Sequence, residues 1–212
     1  MADGVDTAGL SAWVHEFARA IAEHRDELTE LDSAIGDADH GSNMDRGMTA
    51  AVAALEATPP ADAAALLKTV AMTMISKVGG TSGPLYGTLF LRMSGAFGDG
   101  SPTAFAAAFR AGIEGVVARG KAEAGDKTML DALLPAADAL TEAVGAGQPL
   151  DAALRAAADA AARGRDSVTP SVARKGRASY LGERSAGHVD PGAASAVLLV
   201  EAAAATLPGA GS

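Results

Sequence analysis

From Ala8 to Glu30 the apolar positions Leu10, Trp13, Val14, Phe17, Ile21 and Leu28 fall mostly three and four apart, the spacing that lines up side chains on one face of an α-helix. They predict a first helix with one side buried. A glycine-punctuated stretch, "LDSAIGDADHGSNMDRG" at residues 31–47, interrupts the pattern, which resumes from Met44 to Ala57 and stops at Pro59-Pro60. A third helix is predicted from Ala61 to Val78, ended by "GGTSG" at Gly79 to Gly83, and a fourth from Pro84 to Phe97, with a proline suited to its first turn. A fifth follows from Thr103 to Ala118, and a polar connection from Arg119 to Lys127 leads into a sixth from Thr128 to Val144, where Pro135 predicts a kink. A seventh spans Leu150 to Ser167. A long loop from Thr169 to Gly192 precedes an eighth, apolar helix from Ala193 to Leu207, and the final "PGAGS" reads as frayed. With no two-residue alternation, heptad or long repeat, the expectation is an all-α fold: eight antiparallel helices, joined by short connections, around one core.

Composition sharpens this picture. The 212 residues are 49% hydrophobic and 20% charged, enough for one core and a single domain over 1–212. Aromatics supply only 4% while alanine runs recur, so the helices should approach one another closely. The net charge of -9, against one modest basic cluster (Arg165, Arg174, Lys175, Arg177 and Arg184), argues against a nucleic-acid surface. There is no cysteine, which excludes disulfides, thiolate metal sites and cysteine nucleophiles. The first thirty residues lack a signal-peptide pattern and no run reaches the roughly 18 apolar residues of a membrane span, so a cytoplasmic protein without membrane contact is expected.

The chemistry gathers in the interruptions. Asp32, Asp37 and Asp39 cannot share a helix face, but they converge if the chain bends at Gly36. Two carboxylates about 4 Å apart repel by roughly 4 kcal/mol at an effective dielectric of about 20, so three together call for a cation. Oxygen ligation without thiolates suits Mg²⁺, with phosphates completing its shell. A calcium-loop reading fails, because Gly41, Ser42 and Met48 stand where an EF-hand needs a ligand, a glycine and a glutamate. The alternative is helix capping, with Asp32 ending the first helix and Asp37 or Asp39 starting the second; Asp45, further on, reads as first-turn charge complementing the helix dipole.

His40 is open to three roles: metal ligand, phosphate donor, or a loop histidine held by a carboxylate. His188 stays equally open, while His15 and His24 read as solvated. "GGTSG" suits an anion at a helix N-terminus, or simply a tight connection, and it is neither a Walker A loop nor a hydrolase elbow. "DPG" at Asp190 to Gly192 reads as a cap followed by proline at the first helical position. Lys175, Arg177 and Arg184 before it suit phosphate oxygens or charge balance.

Four blocks carry a resemblance: "GDADHGSNMDRG", "VGGTSGPLYGTLF", "RGKAEAGDKTM" and "ARKGRASYLGERSAGHVDPGA". Together they are similar to the L subunit of bacterial dihydroxyacetone kinase, in the stand-alone form that works with the phosphotransferase system. The resemblance implies an eight-helix antiparallel barrel with a nucleotide site at one end. It implies ADP/ATP bound through two Mg²⁺, phosphorylated in place by a phosphohistidine of an M subunit, the phosphoryl then passing to dihydroxyacetone on a K subunit. Residue by residue, Asp32, Asp37 and Asp39 match the metal ligands, and His40, Gly41, Ser42 and Asn43, with Thr81 and Ser82, match the phosphate contacts. Gly120, Met129, Arg177, Asp190, Pro191 and Gly192 match the remaining nucleotide contacts, and no side chain takes a covalent catalytic role. Thr81 departs from the alanine of some relatives.

Because 212 residues leave no room for a fused substrate domain, and "RKGRASYLGERS" is intact, retained ADP is expected over the freely exchanging nucleotide of ATP-dependent kinases. Two other classes compete: a nucleotide-bound module docking a transcriptional activator, and an Mg²⁺-dependent phosphohydrolase.

Overall fold

The computed structural model describes residues 4–207; the expected fraying of "PGAGS" lies outside them. The described residues form nine α-helices and one 3-10 segment, with no strand: α1 (Thr7–Glu23), α2 (Arg25–Ile35), α3 (His40–Ala57), α4 (Ala63–Lys77), α5 (Ser82–Ala96), α6 (Pro102–Gly120), α7 (Leu130–Gly145), α8 (Leu150–Ser167), the 3-10 segment (Arg177–Ser185) and α9 (Pro191–Thr206).

The expected first helix divides at His24, whose backbone (φ -96°, ψ 11°) leaves the helical region for one residue. The apolar pattern hides this break because Leu28 follows Ile21 by seven residues and stays in phase across it. The second expected helix begins at His40 rather than Met44, and the fourth at Ser82 rather than Pro84, so both expected loops are shorter than their glycines suggest. The long loop contains the 3-10 segment, broken internally at Gly182 (φ 56°). At "DPG" the Asp190 carboxylate accepts from the Ala193 N–H at 2.7 Å and Pro191 opens α9, as the capping pattern predicts.

Eight helices make a ring. α1 packs on α3, and α3 to α9 each pack on the next in the chain, until α9 returns to α1. The Trp13 indole N–H seals that last seam by donating to the Leu199 carbonyl at 2.9 Å, across 186 residues of sequence. Inside the ring Trp13 lies 5.7 Å from Phe90 and 5.9 Å from Phe105, tying α1 to α5 and α6. Each such side chain, fully buried, contributes about 2–3 kcal/mol.

Small residues bring the helices close elsewhere. At Gly164 of α8 a Cβ would collide with the Asp131 carbonyl oxygen of α7. Pro135 has no N–H to give that carbonyl, and α7 continues through the proline. α2 stands outside the ring and packs on α3, α9 and the 3-10 segment at one end. The first residues of α3, α5, α7 and α9 all open onto a cleft at that end, so these four helices run away from it and their neighbours run towards it.

Candidate functional site

The last turn of α2 and the bend after it build the acidic cluster. Asp32, Asp37 and Asp39 each present a carboxylate oxygen within 4.8 Å of the others. Gly36 permits this, since a Cβ there would overlap the Asp32 carboxylate, and Ala38 adopts a left-handed φ of 61° to turn the chain. Asp32 Oδ2 accepts from the N–H groups of Asp39 (2.8 Å) and His40 (3.1 Å). The cap of α3 therefore comes from Asp32, eight residues before the helix, while Asp39 occupies the cap position without a side-chain capping bond. Arg177 Nη2 reaches Asp37 Oδ2 at 3.0 Å and brings one positive charge to the cluster.

His40 sits at the head of α3, buried, rather than in a loop. Its Nδ1 lies 3.1 Å from Ser82 Oγ and its Nε2 2.9 Å from Ser195 Oγ. The Gly192 carbonyl can only accept, so Ser195 donates to it (3.1 Å) and accepts from Tyr86 O–H (2.7 Å) and His40 Nε2–H. The remaining His40 nitrogen then accepts from Ser82 O–H. Burial pulls the His40 pKa down, against the opposing pull of Asp32 and Asp39, and pushes the Tyr86 phenol up. A neutral histidine thus holds together the starts of α3, α5 and α9.

Helix capping separates the two ends of the ring. Three of the four helices that start at the far end carry side-chain caps, from Asp6, Asp62 and Ser101. Of the four that start at the cleft, α5 and α7 carry none, and α3 takes its cap from Asp32 of the preceding helix. All four turn the positive ends of their helix dipoles towards the cleft, an arrangement that suits phosphate. Gly80, at φ 63°, lets the chain turn into α5.

The cleft has a volume of about 790 Å³. Of the residues singled out in the sequence, Asp32, Asp37, Asp39, His40, Thr81, Ser82, Gly120, Met129, Arg177, Asp190, Pro191 and Gly192 all line it. Gly41, Ser42 and Asn43 do not. Gly41 is buried against α2, the Ser42 hydroxyl turns back to the Asp39 carbonyl, and Asn43 Oδ1 accepts from Arg46 at 2.5 Å. Leu85, Val116, Ala122 and Leu130 give the cleft an apolar wall beside Met129. Arg174 and Lys175 line it as well, whereas Arg165 pairs with Asp166 at the end of α8. His15, within 2.7 Å of the Ser11 carbonyl, and His188 are exposed; His24 pairs with Glu27 at the surface.

Two ionisable residues here have unusual surroundings. Burial pushes the Asp190 carboxyl up to about 7. Lys127, in the connection between α6 and α7, is only 1% exposed and lines the cleft. Neither Lys127 nor the Tyr86–Ser195 pair emerges from reading the sequence as a set of motifs. Helical spacing offers a signal for the pair, since Tyr86 stands one turn after Ser82 and Ser195 one turn after Gly192, both pointing back to helix starts.

Residues 34–205 match the DAK2 domain. The chain is 45% identical over 192 residues to the ADP-binding subunit DhaL of PEP-dependent dihydroxyacetone kinase 1 from Listeria innocua, covering 90% of this chain and 91% of that one. It is 42% identical to the DhaL subunit of the PEP-dependent kinase from Escherichia coli, over 89% of this chain and 91% of that one. Its fold is similar to that of the C. freundii dihydroxyacetone kinase crystallised with AMP-PNP and Mg²⁺, with a TM-score of 0.74 and 25% identity, covering 95% of this chain and 34% of that longer one. The helical ring, the acidic bend at its open end and these similarities lead to one conclusion: the chain belongs to the DAK2 domain family.

Proposed function

We infer that this chain is the ADP-binding subunit of a phosphotransferase-system-dependent dihydroxyacetone kinase, a transferase active only with its partners. The observation that carries the reading is the convergence of three carboxylates with the N-terminal ends of four helices on one cleft, within a chain similar over nine-tenths of its length to DhaL subunits. The phosphoryl group would come from an M subunit and leave to dihydroxyacetone on a K subunit, in the cytoplasm. The whole chain, 1–212, acts as one nucleotide-binding domain in this reading.

The residues fit Mg²⁺ and a nucleotide. Asp32, Asp37 and Asp39 supply hard oxygen donors for two Mg²⁺ ions, which when bound neutralise the carboxylates and the phosphates together. Thr81 and Ser82, which line the cleft, suit the phosphates. Ser82 is oriented for this by His40, whose neutral ring adds no charge. Asn43, paired with Arg46, stands beside Gly79 rather than in the cleft. Met129 and Gly120, with the apolar wall, suit the base, and Arg177 and the turn Asp190 to Gly192 close the remaining sides. Phosphoryl transfer depends on positioning and charge neutralisation, and this chain's residues supply both without a nucleophile of their own.

Non-denaturing mass spectrometry of the freshly purified protein tests the retained form: a mass increase of one ADP and two magnesium ions is expected. Mixing the chain with K and M subunits and a phosphoryl donor should then yield dihydroxyacetone phosphate. No product, with intact binding to a transcriptional activator, would favour the docking module instead. Steady phosphate release from ATP by the chain alone would favour the hydrolase, and product formation driven by free ATP the exchanging kinase.

A further inference from the structure

Residues 169–187 leave the end of α8 and return to it, because the Gly187 N–H donates to the Thr169 carbonyl at 2.8 Å. The segment is thus an Ω-shaped strap closed at its neck. Lys127 occupies that neck from the opposite connection. Its ammonium donates to the carbonyls of Thr169 (2.8 Å), Ser171 (2.9 Å) and Ser185 (2.7 Å), so one cation spends its three N–H groups on both limbs of the strap. Among the described residues no carboxylate accepts a hydrogen bond from it. The Lys127 backbone stands at φ 66°, a conformation that a residue with a Cβ rarely adopts, and it aims the side chain into the neck.

Other contacts extend this order along the strap. Arg174 donates to Asp126 twice, from its N–H to the carbonyl (3.0 Å) and from Nε to Oδ1 (2.9 Å). The buried Ser185 hydroxyl accepts from the Ala173 N–H (2.9 Å) and donates to the Gly182 carbonyl (2.6 Å). Further out, Ala173 and Ala178, with Leu181, pack against Ile35 of α2, and Arg177 meets Asp37. Arg174, Lys175, Arg177 and Tyr180 of the strap form one wall of the cleft.

We propose that Lys127 is a positioning residue that locks the neck of this strap and thereby sets how slowly nucleotide leaves the cleft. The proposal rests on the nucleotide reading above. A nucleotide held between the strap and the helix N-termini escapes when the strap swings aside, and the swing must start at the neck. Separating the limbs there strips carbonyls from an ammonium that is shielded from water, which makes opening rare. The identity of residue 127 would therefore help decide between a retained coenzyme and an exchanging one.

The test loads the purified chain with Mg²⁺ and a fluorescent N-methylanthraniloyl-ADP, then chases with excess ADP, comparing wild type with Lys127→Met at a temperature where both are folded. Dissociation is expected to accelerate tenfold or more, with association altered less than threefold. Trypsin should newly cut at Arg174, Lys175, Arg177 or Arg184 and leave the ring intact. A lysine needed only for folding would lower the melting temperature and leave the exit rate of the folded protein unchanged, and that result overturns the proposal. Ser185→Ala keeps the lysine and loosens the strap from within, so it should accelerate release in the same direction; a wild-type rate in that variant likewise overturns it. If wild type fails to hold the labelled ADP with Mg²⁺ at all, the nucleotide reading itself falls. Intact binding with unchanged exit removes only the role of Lys127.

Discussion

Replacing Asp39 by asparagine should stabilise the metal-free protein and remove most of its response to Mg²⁺ and ADP. Asp39 has two carboxylate neighbours within 4.8 Å, and its own side chain accepts no hydrogen bond from the described residues. At that distance each pair repels by about 3.5 kcal/mol at an effective dielectric near 20, and by about 0.9 kcal/mol in bulk water. Asp39 is half-buried and Asp37 more exposed, so the relief falls between these limits, at about 2 kcal/mol. Losing a negative charge at the start of α3 takes back roughly 0.5 kcal/mol, while asparagine serves equally well as a cap residue. The net gain of about 1.5 kcal/mol corresponds to roughly 3–6 °C for a chain of this size.

Metal and nucleotide at a thousandfold excess over their dissociation constants should raise wild type by about 4 kcal/mol, or roughly 8–16 °C. The order of the two proteins should therefore invert between the two conditions. Thermal unfolding followed by circular dichroism, in chelator and then in Mg²⁺ with ADP, reads both numbers. The reasoning is refuted if the metal-free variant melts at or below wild type, or if the ligands stabilise the two equally.

Three further outcomes follow from the same geometry. Asp190 has a folded pKa near 7 against an ordinary 3.8, so between these values the folded chain binds a proton that the unfolded chain does not. Metal-free stability should consequently fall as pH rises from about 4 to 7, by on the order of 3 kcal/mol, and Asp190→Asn should flatten the profile in denaturant titrations; an unchanged slope would contradict the assignment. Gly41→Ala drives a Cβ into the Arg25 carbonyl and the Thr29 hydroxyl and N–H of α2. The loss should exceed the roughly 1 kcal/mol gained in helix propensity, giving a net destabilisation of about 2 kcal/mol, and Mg²⁺ affinity should weaken because α2 carries Asp32; a variant as stable as wild type would show that the two helices are not in contact there. Ser195→Ala strips the partner from the buried Tyr86 hydroxyl and from His40 Nε2, and should lower stability by about 1–3 kcal/mol, with Tyr86→Phe in the same background recovering part of it; equal stability of the two single variants and the double would deny the network.

How much of this was legible beforehand depends on sequence distance. The helices of the ring, the Asp190-Pro191 start of α9 and the convergence of Asp32, Asp37 and Asp39 at Gly36 are written locally, because helical periodicity, capping and a glycine bend act over a handful of residues. The division at His24 was invisible because it preserves the apolar phase. The start of α3 was misplaced because its cap is Asp32, outside the position where a cap is ordinarily sought. What only the tertiary structure decided joins residues far apart in the chain: the Trp13 seal on Leu199, the His40 link to Ser82 and Ser195, and the Lys127 clamp on the strap. A hydrogen bond across 42 to 186 residues leaves no periodic trace in the sequence, since its partners meet only after the ring has closed and excluded water around them. The sequence by itself determined which residue types were present at the open end of the barrel; packing decided which atoms face one another there.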